Sequence, residues 1–242
     1  MNTLLITGTI KPLVKIKRSD PALRCAEYKR NLKRYISDTK FDRFIFAENS
    51  GYPIDVSYFQ KIAKEKGKEF LFLDVSINAD SRTMSTGEAR IIQQVLAMCP
   101  FLQDEEHIWK VSGRVFIRNA NKIIDKTKSK NGNIFLYAPK YDSLQTWFCR
   151  IKVADLKRYF LTEDAIDSMK YGCIEYVWMD TWKARNKEIL MMRFPVYPDA
   201  EGINSSGQPY TQPKHKMIIK DLLLKLGYFT PNANKHLDRS GI

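Results

Sequence analysis

Three short polar stretches, two closing hydrophobic runs and one opening a helix, hold the residues whose types suit chemistry. The run FIFAENSG (44–51) stops on Glu48, Asn49, Ser50 and Gly51: an acid, an amide, a hydroxyl and a glycine in succession. Such a cluster at the carboxyl end of a buried strand is what an α/β protein offers a ligand; an ordinary polar turn is the competing reading. KVSGR (110–114) follows another apolar run and joins two cations to a glycine. There Arg114 can fork onto two phosphate oxygens and Lys110 can add a point charge, with Ser112 and Gly113 between them, unless Arg114 is simply salt-bridged in a turn. STGEAR (85–90) opens a helix, where Glu88 is either a capping carboxylate or an acceptor or base facing a sugar hydroxyl.

Other chemistries lack residues to support them. There is no GxxxxGK[ST], no GxGxxG, no HExxH and no GxSxG in the chain. Cys25, Cys99, Cys149 and Cys173 are scattered without a CxxC pair, and His107, His215 and His236 are far apart, which argues against zinc or a His-rich metal centre. The cysteines are expected to be buried free thiols.

The elements that must position these residues follow from periodicity. Thr3 to Thr7 reads as a buried strand ended by Gly8. Cys25, Tyr28, Leu32, Tyr35 and Ile36 recur at helical spacing with Lys29, Arg30, Lys33 and Arg34 opposite. Strands over 41–47, 69–75 and 108–112 alternate with helices over 55–66 and 87–98, the pattern of a parallel sheet with crossover helices. The strand ends at Gly8, 48–51, 76–78 and 113–114 should therefore line one sheet edge. Beyond them, 115–124 and 133–137 are expected to flank a hairpin-like turn at Asn131-Gly132. A strand then a helix are expected over 144–159, a helix in two pieces broken at Gly172 over 163–185, a strand over 189–196, a loop over 199–213, and a last helix over 214–226 stopped by Gly227.

At 242 residues, 44% of them apolar and 12% aromatic, the chain can bury a large core. A formal charge of +13 points to an anionic partner: nucleic acid, acidic headgroups or phosphorylated small molecules. MNTLLITGTIKP has no basic n-region and too short an apolar run for a signal peptide, so a cytoplasmic protein is expected.

Taken in order, RxxEYxxxLxxYI (24–36), IFAENSG, a segment ending in GE (87–88), KxSGR with Asn119, and INSSGQPY (203–210) before a basic helix resemble a family of bacterial glycosyltransferases for capsule and O-antigen polysaccharides. The resemblance covers roughly the first 120 residues and is weaker beyond; the glycine-rich, basic segment expected before GE is here RTMSTGE. It implies a single Rossmann-like GT-A-type α/β domain, with a mainly parallel sheet and helices on both faces. Residues 1–120 would be the nucleotide-sugar-binding half, and 121–242 the acceptor-side half with the C-terminal helix. The implied activity is sugar transfer from a nucleotide-sugar donor to a glycan or lipid-linked glycan, at the inner face of the bacterial inner membrane.

The same resemblance implies donor-binding roles for Gly8, Glu48, Asn49, Ser50, Lys110, Ser112, Gly113 and Arg114. Such enzymes usually hold the diphosphate through Mn2+ or Mg2+ on an Asp-x-Asp pair. None occurs here, and Asp74 and Asp142 are the nearest substitutes. Without a metal, Arg114, Lys110 and Lys152 would offset the leaving group's charge. For the base that takes the acceptor proton, Glu88 leads and Asp180 follows, with Glu48, Asp142 and Glu175 also in view. Trp178 and Trp182 share a helix face beside Glu175 and Asp180, and suit either a sugar or the core. The basic residues Lys11, Lys15, Lys17, Arg18, Arg30, Lys33 and Arg34 would face anionic headgroups. The alternative is a nucleic-acid-binding protein, disfavoured because no RNP-type aromatic pattern, GXXG clamp or zinc knuckle accompanies the charge.

Overall fold

The computed structural model describes residues 1–13, 16–75, 83–204 and 207–232. The expected strand end at 76–78, together with Lys15, Ser205, Ser206 and His236, lies outside them.

The first half builds as its periodicity requires. β1 (Thr3–Gly8) is buried along its whole length, the mark of a strand covered on both faces. Asp20 caps α1 (Pro21–Asp38) by accepting from the amides of Ala22 and Leu23, and Pro21 occupies the first helical position. Next come β2 (Arg43–Glu48), α2 (Ser57–Glu65), β3 (Glu69–Asp74), α3 (Met84–Met98) and β4 (His107–Ser112). Thr83 and Thr86 form a reciprocal capping box, so α3 starts three residues earlier than the sequence predicts.

The second half comprises β5 (Val115–Ile117), α4 (Ala120–Thr127), β6 (Asn133–Ala138), β7 (Ser143–Lys152), α5 (Val153–Asp155) running into a π turn (Leu156–Phe160), α6 (Glu163–Ser168), α7 (Ile174–Ala184), β8 (Met191–Met192), β9 (Ala200–Gly202) and α8 (Lys214–Lys225). Among the described residues the central sheet has seven strands in the order β3-β2-β1-β4-β7-β6-β8. The pairings from β3 to β4 are parallel, β7 is antiparallel to both β4 and β6, and β8 is parallel to β6. Because side chains alternate across a strand, Leu4 and Ile6 pack under α1 and α2, while Leu5 packs with Ile91, Ile92 and Val95 of α3 and Trp178 of α7. The protein is therefore a single α/β domain with a mostly parallel sheet and helices on both faces.

Three expectations are corrected. The loop expected over 199–213 opens on a strand, β9, because Ala200–Gly202 pairs with β5. Residues 120–127 form a helix, not part of a strand, since Ala120, Ile123, Ile124 and Thr127 are buried at i, i+3, i+4 and i+7. The strand over 189–196 shrinks to Met191–Met192, because Pro195 and Pro198 cannot donate to a ladder.

β9 pairs antiparallel with β5 in a small second sheet. At their contact Gly202 has φ +140°, and a Cβ there would stand 2.3 Å from the carbonyl oxygen of Arg114. Backbone against backbone cannot yield, so this pairing fixes the start of the 203–210 loop. Gly202→Ala should lower stability in urea unfolding by about 3 kcal/mol, from strain and overpacking together. Gly67→Ala, at φ +65° with nothing within 4 Å, should cost only about 1 kcal/mol.

Candidate functional site

The carboxyl ends of the parallel strands open into a cavity of about 470 Å3. Thr7, Gly8 and Thr9 line it from β1, Asn49 from the end of β2, and Ser112, Gly113 and Arg114 from the end of β4. The first turns of α3 and α7 contribute Ser85, Gly87 and Glu88, and Cys173 and Glu175. Thr146 and Trp147 of β7 and Tyr210 of the 203–210 loop complete it. The glycines permit close approach: a Cβ on Gly8 would stand 2.8 Å from the Phe46 ring, and one on Gly113 2.6 Å from the Tyr28 ring.

The abrupt end of FIFAENSG has a physical cause. The buried Glu48 carboxylate accepts from the amides of Ile10 (2.7 Å) and Ser50 (2.9 Å) and from the Ser50 hydroxyl. Ser50 Oγ in turn accepts from the Lys11 amide at 3.0 Å, and Asn49 Oδ1 accepts from Thr9 Oγ1 at 2.7 Å. The cluster thus clasps the loop after β1 to the end of β2. Of its members Asn49 lines the cavity, whereas Glu48 and Ser50 stand behind it.

Lys110 is likewise behind the surface. It is fully buried, ion-paired to Glu88, and donates to the Thr146 carbonyl at 2.7 Å. Glu88 also accepts from Thr7 Oγ1 at 3.1 Å. Thr146 Oγ1 donates to Glu175 Oε1 at 3.1 Å, so the two glutamates face one cavity. Burial, followed by the negative charge of Glu88, raises the pKa of Glu175 above the ordinary 4.5. Burial and then both carboxylates push Tyr210 up to about 12. Cys173, the one half-buried thiol, is pushed up to about 11 by burial and then by Glu175, which suits a neutral thiol and not a nucleophile.

Positive charge gathers at another part of the cavity. Glu27, buried on α1, is ion-paired with Arg18 and lies 3.6 Å from Arg114 Nη1. Neither that Arg114 nitrogen nor Glu27 Oε2 has a hydrogen-bond partner. Arg24 lines the cavity nearby and donates to the carbonyls of Thr9 and Arg18. Its pKa is lowered first by burial, with the like charge of Arg114 adding to it. Three guanidiniums thus gather around one carboxylate, a surplus that suits an anion.

The remaining expected residues are dispersed. Asp180 is exposed on α7 and does not line the cavity; Glu175, five residues earlier, does. Trp178 and Trp182 are in the core, their indoles donating to the carbonyls of Phe160 and Ile189. Lys152 lies at the far end of β7, beside His107 at the start of β4. Asp142 is fully buried against Lys183 and the Tyr137 hydroxyl (2.8 Å). Asp74 ends β3, four strand positions from β7 and so about 19 Å across the sheet. Asp74 and Asp142 therefore do not converge on one ion. Among the described residues no three His, Cys, Asp or Glu side chains form a metal-ligand group.

Arg24, Glu27 and Tyr28, part of the RxxEYxxxLxxYI stretch, carried no site role in the sequence reading, although a signal existed. Arg24, Glu27 and Asn31 sit at i, i+3 and i+7, interleaved with the apolar face of α1, where a solvated helix would not place them.

No protein-family model matches the chain, and no curated protein does. Among solved structures it is similar to the galactosyltransferase LgtC in complex with donor and acceptor sugar analogs, with 9% identity over 78% of this chain and 72% of that one and a TM-score of 0.47. It is also similar to a glycosyltransferase involved in glycosylation of the major capsid of PBCV-1 (12% identity, 79% and 80% covered, TM-score 0.45). A third is the inositol-1-phosphate CTP transferase of T. maritima (12%, 80% and 84%, TM-score 0.44). A likeness at this level says nothing of what this chain acts on.

Lys110→Met leaves Glu88 facing the cavity without its counter-charge. It should destabilise the fold by about 3 kcal/mol, the lower end for a broken buried pair because Glu88 keeps some solvent. Adding Glu88→Gln should restore part of that loss, as read by a double-mutant cycle in urea.

Proposed function

We propose that the protein is a glycosyltransferase, moving a sugar from a nucleotide-sugar donor to a hydroxyl of a growing bacterial surface glycan. One observation carries the reading: a carboxylate of raised pKa, Glu175, shares a strand-end cavity with Arg114, whose buried Nη1 makes no hydrogen bond and is met, among the described residues, only by Glu27 at 3.6 Å. The first suits a general base and the second a leaving diphosphate. The resemblance of the ordered sequence stretches to capsule and O-antigen enzymes supports the glycan acceptor.

In this reading the acceptor oxygen bonds to the anomeric carbon while the bond from that carbon to the diphosphate oxygen breaks. The electron pair leaves with the nucleotide, and the hydroxyl proton passes to Glu175. Arg114, with Arg24 beside it, meets the charge on the departing diphosphate. Glu88, paired with Lys110, raises the proton affinity of Glu175. Asn49, Gly8, Ser112 and Gly113 form the donor floor, with Glu48 and Ser50 holding the loop after β1 in place. Trp147 and Tyr210, whose ring centroids are 5.4 Å apart, offer apolar faces to a sugar ring.

The test is acceptor-dependent release of nucleotide from UDP-, GDP-, ADP- and CMP-sugars. Release of pyrophosphate from a nucleoside triphosphate and a sugar phosphate would identify a nucleotidyl transfer instead, and overturn this reading. Glu175→Gln should lower kcat by about 10²- to 10⁴-fold. Since a base works only when deprotonated, kcat/KM should rise with pH through the raised pKa of Glu175, above 4.5. That limb should vanish in the variant. Arg114→Lys should lose at least about tenfold in kcat/KM, because an ammonium cannot replace the fork.

A further inference from the structure

The described residues include one helix whose outward face is apolar. On α8, Ile218, Ile219, Leu222 and Leu226 are 71, 54, 57 and 73% exposed, while Leu224 on the opposite side is buried in the core. At 3.6 residues per turn the four span about 100° of arc. Lys214 and Lys225 flank that arc on one edge and Lys216 on the other, all three exposed. The single acid of the helix, Asp221, is turned inward, accepting from the Tyr197 amide at 2.6 Å, and Lys220 lies over the Tyr197 ring. The outward face is thus an apolar stripe, broken by His215 in its first turn and edged by lysines. A contiguous exposed stripe of this kind marks an interaction surface.

We infer that α8 docks this protein onto an anionic bilayer, with Ile218, Ile219, Leu222 and Leu226 entering the headgroup boundary and Lys214, Lys216 and Lys225 meeting acidic headgroups. The occupant is argued from charge complementarity: apolar centre, cationic edges and a chain of net charge +13. By contrast, two cations expected to face headgroups are engaged elsewhere, Arg18 with Glu27 and Arg34 with Glu201 at 2.6 Å. No described helix is long and apolar enough to cross a membrane, so the contact is interfacial. α8 begins four residues after Tyr210 of the cavity, at most about 14 Å of chain. Docking there would hold the cavity near substrates carried in the membrane. The inference stands apart from the transferase reading, because vesicle binding is measured without substrate.

The test is co-sedimentation of the full chain with vesicles of equal phosphatidylglycerol and phosphatidylcholine, against vesicles of phosphatidylcholine alone. Partitioning should be at least about tenfold stronger on the anionic vesicles and should fall with salt. The variant Ile218→Ser, Leu222→Ser, Leu226→Ser should lose at least about tenfold while keeping its melting temperature, since the changed residues are exposed. Lys214→Gln, Lys216→Gln, Lys225→Gln should lower anionic binding on the order of a hundredfold, about fivefold per lysine. No binding by the unmodified chain overturns the inference, as does undiminished binding of the serine variant. So does a dimer seen by light scattering that the serine changes dissociate without any vesicle binding, which would give the face to a second copy.

Discussion

A buried ammonium governs the arrangement of this protein. Lys110 stands in the middle of the sheet with no access to solvent, so its charge must be met inside. Glu88 meets it from α3 and the Thr146 carbonyl from β7, which ties a helix of one crossover to an antiparallel strand of the second half. Thr7 joins from β1, and through the Thr146 hydroxyl the tie extends to Glu175 at the start of α7. Four elements are thus oriented by the solvation demand of one side chain. The same demand places two carboxylates side by side at the mouth of the strands.

A second polar assembly shapes the rest of the cavity. Glu48 and Ser50 satisfy the amides of the loop after β1 and Asn49 accepts from the Thr9 hydroxyl, while Glu27 gathers Arg18 and Arg114 beneath it. These groups act by fixing the backbone at the strand ends that line the cavity. The result is a cavity with separate regions of charge: carboxylates near β7 and α7, guanidiniums near α1. Fixed charges on rigid elements are what a polar reaction needs, because little reorganisation remains to be done when the charge develops.

Much of the frame was legible in the sequence. Alternating apolar runs and helical periods predict β1 to β4 with their crossover helices, since covered parallel strands are apolar on both faces and helices carry a 3.6-residue stripe. Gly8, Asn49, Ser112, Gly113 and Arg114 could be picked out because short polar clusters end hydrophobic runs, and Glu88 because it sits at a helix start. The fate of residues 120–127 was less readable, because a short segment rich in isoleucine serves either period until its burial is known.

Periodicity in the chain fixes β1 to β4 with their crossovers and the identity of the polar clusters near their ends. Those follow from local periodicity and from which residues water will accept. Which of those polar groups face the cavity and which stand behind it depends on packing between distant segments. Glu48 and Lys110 turn inward because buried donors and acceptors must pair, and their partners lie 38 residues away at Ile10 and 36 away at Thr146. Glu175 reaches the cavity, and Asp180 does not, because the two point about 140° apart on α7 and that helix packs Trp178 against the sheet. Distances of that kind are set by folding and leave no mark at neighbouring positions in the chain.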